Sequence, residues 1–197
     1  MIIVDINQIM ISNLMIQING RNAPELSEDL VRHMVLNSLR GHNKKFRDKY
    51  GEMVLACDSG NVWRKQIFPN YKAGRKESRE KSDHDWAKIF EILTTIRREL
   101  KEHMPYRYVE LDTTEADDII ASMTNWLQEN ELIQEGLVEE PQKVLILSSD
   151  KDFKQLQLFP TVKQWSPMQK KYVTATQREI IEYKIEHIVK GDTGDGI

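Results

Sequence analysis

The stretch Lys143-Val144-Leu145-Ile146-Leu147-Ser148-Ser149-Asp150-Lys151-Asp152 decides the fold. Its apolar run, with β-branched Val144 and Ile146, has no polar alternation. It therefore suits a strand buried on both faces at the centre of a parallel sheet. Two carboxylates, Asp150 and Asp152, follow where that strand would turn into its crossover. The same arrangement recurs earlier, with Asp5 after Ile2-Ile3-Val4 and Asp58 after Val54-Leu55-Ala56-Cys57. In an open α/β sheet, ligands bind in the crevice beyond the carboxyl ends of the strands. Acids at several strand ends would meet there. So many like charges share a site only when protons or cations neutralise them, and hard divalent cations such as Mg²⁺ take oxygen ligands. The pattern points to metal-dependent chemistry on phosphate.

Outward from this run, short apolar segments alternate with helical periods. Strands are expected at Ile2–Ile6, Met53–Cys57, Tyr106–Leu111, Lys143–Ser148 and Val162–Trp165. Helices are expected from Ser27 to Gly51, from a Ser82/Asp85 capping box to before Pro105, from a Thr114 cap through Leu127, and from a Thr176/Glu179 capping box to Lys190. A short helix follows Asp152. This alternation predicts a mostly parallel central sheet covered by helices on both faces. Residues 63–81 break the pattern: they are basic, contain Pro69 and Gly74, and read as a long loop of the kind that is usually functional or disordered.

At 197 residues, one α/β domain with a long loop is the expectation. No apolar run approaches the roughly 20 residues of a membrane span, and the short apolar start, which meets Asp5 at once, does not resemble a signal peptide. The single cysteine, Cys57, reads as a small core residue in a reducing cytoplasm. A net charge of −3 argues against nucleic acid as partner. The distribution weakens that objection, because acids collect at strand ends while bases crowd Arg64–Lys81. The five histidines have no metal-ligand spacing, and no Walker loop, nucleophile elbow or dinucleotide fingerprint is present.

Each acidic motif also has a structural reading. Asp150 suits a helix cap as well as a metal ligand. In Glu115-Ala116-Asp117-Asp118, acids in a first helical turn suit the macrodipole. However, Glu115 and Asp118 share a face at i, i+3, and three acids in four residues exceed what capping needs. The basic segment, with Arg64, Lys65, Tyr71, Lys72, Arg75, Lys76 and Arg79, suits either a phosphate clamp with base stacking or a solvated loop.

Taken in order, Asp5, Asp58, Tyr71-Lys72 with Arg75, Glu115-Ala116-Asp117-Asp118, Asp150-Lys151-Asp152 and Gly191-Asp192-Thr193-Gly194-Asp195-Gly196 resemble the flap endonuclease / 5′ nuclease superfamily, its phage members above all. The resemblance covers nearly the whole chain. It implies a Mg²⁺-dependent 5′-to-3′ exonuclease or flap endonuclease with ribonuclease H activity, in which Mn²⁺ substitutes. RNA primers or 5′ flaps would be removed during DNA replication in an infected host cell. It further implies Asp5, Asp58, Glu115, Asp117 and Asp150 around a first ion, and Asp117, Asp152 and Asp195 around a second, with Asp118 nearby. Lys72 and Arg75 would contact the scissile phosphate, Tyr71 would stack beside it, and residues 63–81 would form an arch or gateway. Residues 191–197 would open a helix–turn–helix whose continuation grips duplex DNA and reaches single-strand-binding protein or sliding clamp. The chain, a monomer on this reading, therefore looks interrupted at Ile197. The residues alone leave two alternatives open: a PIN-like single-strand ribonuclease, or a non-catalytic binder of branched DNA.

Overall fold

The computed structural model describes residues 1–18, 26–129, 136 and 140–197. Five strands, β1 (Ile2–Asp5), β2 (Met53–Cys57), β3 (Arg107–Glu110), β4 (Val144–Leu147) and β5 (Val162–Ser166), are all parallel. A short sixth, β6 (Lys171–Val173), returns antiparallel to β5. The order is β3-β2-β1-β4-β5-β6, so the chain winds outward from β1 to one side, crosses back to β4, and winds to the other. The expected mostly parallel sheet is present, with the apolar run 144–147 beside β1 at its centre.

Side-chain alternation on these strands builds two cores. Ile2, Val4, Leu55, Cys57, Leu145 and Leu147 face helices α1 (Ile6–Ile18), α2 (Glu28–Tyr50) and α5 (Trp86–His103), while Ile3, Ala56 and Ile146 face α6 (Ala116–Glu129). Between α2 and α5 lie two short helices, α3 (Arg64–Ile67) and α4 (Gly74–Glu80). A 3₁₀ helix (Asp152–Leu158) packs on the α6 face, and a final helix α7 (Gln177–Lys190) packs on that. Burial pushes the Cys57 thiol up to about 11, which suits an inert core role. No helix among the described residues is long and apolar enough to cross a membrane.

Several local expectations hold. Ser27 accepts from the Leu30 N–H at the start of α2, Gly51 ends it at φ 87, and Thr176 with Glu179 forms a complete capping box on α7. Four expectations are corrected. The first strand ends at Asp5, and the chain turns at once into α1, where Asp5 Oδ1 accepts from the Gln8 N–H at 3.0 Å. Residues 63–81 are not a structureless loop but carry α3 and α4. Asp85, accepting from the Lys88 N–H, caps α5; Ser82 instead donates to the Arg79 carbonyl and accepts from the Trp86 indole. Thr114 donates to the Asp112 carbonyl and does not cap α6, whose Ala116 N–H is taken by Asp58 Oδ1, 2.7 Å away.

Ile146 is fully buried on the central strand, against the α6 core. Ile146→Ala is expected to lower unfolding free energy by about 2–5 kcal/mol, seen as a lower urea midpoint at unchanged slope.

Candidate active site

The sheet's parallel pairing explains why the acids converge. Asp5 stands level with Ala56, and Val4 with Leu147, so the carboxyl ends of β1, β2 and β4 lie at one edge. The N-termini of α1 and α6 return to that same edge, which adds helix-dipole potential favourable to anions. There, Asp5, Asp58, Glu115, Asp117 and Asp150 line one cavity of about 670 Å³, together with Lys72 and Arg75. The cap-or-ligand question has the same answer three times. Asp5 spends an oxygen on Gln8, Asp58 on Ala116, and Asp150 on the Asp152 N–H at 3.0 Å, yet each lines the cavity.

Crowding marks two of these carboxyls. Burial, with Asp58 and Asp150 adding to it, pushes Asp5 up to about 6. Burial followed by the charges of Asp5 and Asp150 pushes Asp117 to about 8. Among the described residues, no three acids are already drawn together closely enough to hold an ion. Glu115, buried, is engaged elsewhere: Lys72 Nζ donates to it at 2.7 Å, the Tyr71 hydroxyl at 2.8 Å, and Arg64 Nη1 at 2.7 Å. Burial works to lower the Lys72 ammonium, but the Glu115 and Tyr71 hydrogen bonds outweigh it and hold it above its usual value. Lys72 also sits at φ 57, a left-handed conformation costly for a residue with a Cβ, and its N–H donates to the Asp195 carbonyl at 3.0 Å. Such strain persists where the surroundings over-determine it.

Three expected ligands are placed outside the cavity lining. Asp118 forms a bidentate pair with Arg64 at 2.7 and 2.8 Å and accepts from the Trp63 indole at 3.2 Å. Burial works to raise its carboxyl, but Arg64 and Trp63 keep it below the usual range. Asp152 accepts from the Tyr183 hydroxyl of α7. Asp195 lies 3.7 Å from Lys72 Nζ and 3.6 Å from Arg75 Nη2.

The basic segment divides likewise. Arg64, expected to hold nucleic acid, turns inward and ties the start of the segment to Glu115 and Asp118. Tyr71, expected to offer a stacking face, is 5% exposed with its hydroxyl spent on Glu115, so its ring is covered here. Arg79 faces the Phe90 and Trp86 rings at 5.5 and 6.0 Å. Lys65 and Lys76 are exposed, and Lys76 lies 3.9 Å from Glu80. The cavity's remaining wall was missed by sequence reasoning. It is Asn7, Gln8, Ile11, Ser12, Met15 and Ile16 of α1, with Met168 of the β5–β6 turn. The available signal was Asp5 followed three residues later by Gln8, a helix-start pattern directly after a strand.

Fold and site together define an α/β protein whose acid-lined crevice lies at the carboxyl edge of a doubly wound, mostly parallel sheet. The chain belongs to the 5′–3′ exonuclease family, whose N-terminal, resolvase-like domain model matches residues 17–186. It is 35% identical over 198 residues to the Ribonuclease H of Enterobacteria phage T4, covering 99% of this chain and 61% of that protein. It is 33% identical over 117 residues to the flap endonuclease Xni of Shewanella pealeana, covering 59% of this chain and 38% of that one. The chain thus spans less than two thirds of these curated relatives. In fold it is similar to the bacteriophage T5 flap endonuclease, solved as a complex with DNA and metal ions, with a TM-score of 0.73 at 17% identity over 100% of this chain and 68% of that one. The T5 5′-exonuclease with bound zinc gives a TM-score of 0.66 at 18% identity, with the same coverage.

Proposed function

We propose that this chain is the catalytic domain of a divalent-metal-dependent 5′ nuclease that hydrolyses phosphodiesters in RNA·DNA hybrids and 5′ flaps during DNA replication. The carrying observation is one cavity of about 670 Å³ in which five carboxylates from the carboxyl ends of β1, β2 and β4 and from the start of α6 meet Lys72 and Arg75. Its acidic donors are all carboxylates, a set that fits hard cations such as Mg²⁺, with Mn²⁺ in its place, better than soft ones. Asp5, Asp58, Asp117 and Asp150 would hold the ions, with Glu115 joining once Lys72 leaves it. When bound, two such ions supply an activated water and a clamp on the leaving 3′-oxygen.

The chain's own part follows from its geometry. Lys72 and Arg75 face the acids from the basic segment and would neutralise charge developing on the phosphate. Arg64, locked on Asp118, positions the base of that segment and keeps a second hold on Glu115. Ile11, Met15 and Ile16 give the crevice an apolar side that limits water. Support for the substrate class comes from the names of the relatives, a ribonuclease H and a flap endonuclease, and from the DNA in the T5 complex.

The test is a panel of 5′-labelled RNA·DNA hybrid, 5′-flap duplex and single-stranded RNA, with and without Mg²⁺. The proposal expects Mg²⁺-dependent release of short 5′-phosphate oligonucleotides from the first two. Cleavage of single-stranded RNA alone would replace it with a PIN-like ribonuclease, and binding without cleavage with a branched-DNA-binding protein. Lys72→Ala is expected to reduce kcat by about 10²–10³-fold, the usual loss for one preorganised group aimed at developing charge, with a smaller change in KM.

A further inference from the structure

Lys151, Lys154 and Lys171 meet around a second cavity, of about 290 Å³, whose lining also includes Ser149, Asp150 and Tyr172. Two segments far apart in sequence build it. The turn from β4 carries Lys151, and the first turn of the 3₁₀ helix that follows carries Lys154. The β5–β6 hairpin, which reverses through Lys170 at φ 52, returns Lys171 opposite Ser166.

These ammonium groups differ from the chain's other well-placed lysines. Lys72, Lys101 and Lys190 each have a carboxylate partner, Glu115, Glu110 and Glu186. Among the described residues, none of Lys151, Lys154 and Lys171 has a carboxylate within 4 Å; Lys154 lies 5.9 Å from the Tyr183 ring and feels the Glu179 carboxylate only at longer range. Of the two acids in this turn, Asp152 is turned to the Tyr183 hydroxyl, and Asp150, in the lining, sets one negative charge against three positive ones. Three cations around one hollow repel one another unless an anion joins them. Lysine on an edge strand such as β6 also discourages strand pairing between chains, which accounts for Lys171 alone. It does not account for Lys151 and Lys154, which lie off that edge.

Location decides what the anion is. Asp150 lines both this cavity and the acidic one, so the two hollows adjoin. Neighbouring phosphates along a nucleic-acid strand are spaced by only ~3.4 Å of helix axis. A strand with one phosphodiester in the acidic cavity therefore carries its neighbours past Asp150. Lysine suits this role as a point charge that accepts phosphate without reading bases. The Tyr172 ring stands edge-on to Trp165 at 5.0 Å and to Phe46 at 6.3 Å and is 40% exposed, so it borders the charged hollow with part of its surface open.

We infer that this cavity is a second backbone-phosphate site, taking phosphodiesters of the nucleic-acid strand adjacent to the scissile one by way of Lys151, Lys154 and Lys171. It deepens the proposed nuclease function and rests on it.

The test compares the unaltered chain with a Lys151→Ala/Lys154→Ala/Lys171→Ala variant and a second variant carrying arginine at the same three positions. Binding of 5′-flap duplex and RNA·DNA hybrid is titrated over a range of salt, with Ca²⁺ replacing Mg²⁺ to hold off cleavage. At ~0.9 per phosphate contact, the alanine variant is expected to lose about 2–3 from the slope of log Kd against log salt, and the arginine variant to keep it. Thermal melts of all three proteins confirm equal folding. An unchanged slope in the alanine variant overturns the second site while leaving the nuclease reading intact. Loss of the slope in the arginine variant as well overturns it too, because shape and not charge would then be responsible. Absence of nucleic-acid binding and cleavage by the unaltered chain overturns both readings together.

Discussion

Asp150→Asn is expected to reduce the single-turnover cleavage rate on a 5′-labelled RNA·DNA hybrid by about 10³-fold or more, with a melting temperature no lower than that of the unaltered chain when Mg²⁺ is absent. The substitution preserves shape. An asparagine Oδ1 can still accept from the Asp152 N–H, which the carboxylate does at 3.0 Å, so the turn into the 3₁₀ helix keeps its cap. What changes is one negative charge in a cavity shared by Asp5, Asp58, Glu115 and Asp117. A ligand lost from a metal clamp costs several kcal/mol of transition-state stabilisation, and ~4 kcal/mol is ~10³ in rate. Asp152→Asn serves as the comparator. Its carboxylate is held by Tyr183 outside the cavity lining, so its loss should reduce the rate far less. An Asp150→Asn rate within tenfold of the unaltered chain would sink the carboxylate-centre proposal.

The sheet and most of the acids were legible in sequence for one shared reason. Strands buried on both faces read as unbroken apolar runs, and in a parallel sheet their ends mark the crevice. Val144–Leu147 and Ile2–Val4 therefore declared both a fold and a location. Helix α1 was not legible in the same way. Its residues are apolar on most sides: Ile6, Ile9, Met10 and Leu14 are buried, while Ile11 and Ile16 stay exposed beside the crevice, and so no polar stripe showed the helical period. Its start was hidden because Asp5 closes the strand and caps the helix at once. With α1 missed, a whole wall of the cavity was missed. The basic segment failed for a different reason. A run of cations reads as solvent-facing unless acids elsewhere in the sequence are known to stand opposite it. Only the fold brings Arg64 and Lys72 within 2.7 Å of Glu115, 51 and 43 residues away. Asp118 follows Asp117 directly, yet consecutive residues of a helix point about 100° apart, so Asp117 faces the crevice while Asp118 anchors Arg64.

Asp117→Asn is expected to stabilise the metal-free protein while abolishing its response to Mg²⁺. Burial and the charges of Asp5 and Asp150 raise the Asp117 carboxyl to about 8, and Asp5 to about 6, both well above their values in an unfolded chain. The folded state therefore binds more protons than the unfolded state over the interval between. Stability from these groups is complete below about pH 4 and is lost as pH rises through 6 and then 8. In chelator, the unaltered chain should melt lower at pH 8.5 than at pH 5.5, and Asp117→Asn should flatten that fall. The carboxylates can move apart within the open cavity, so the gain at pH 8.5 is set at about 2 kcal/mol, or roughly 4–8 °C in a chain of this size. Mg²⁺ acts in the opposite direction on the unaltered chain. A cation that binds only the folded form at 100 times its Kd adds ~2.7 kcal/mol, and that gain should grow with pH as protons cease to compete. Thermal melts of both proteins at the two pH values, in chelator and in millimolar Mg²⁺, read all of these terms at once. A variant no more stable than the unaltered chain in chelator would show that the acids do not repel across the crevice. The metal would then have no strain to relieve, and these carboxylates would be caps rather than a centre.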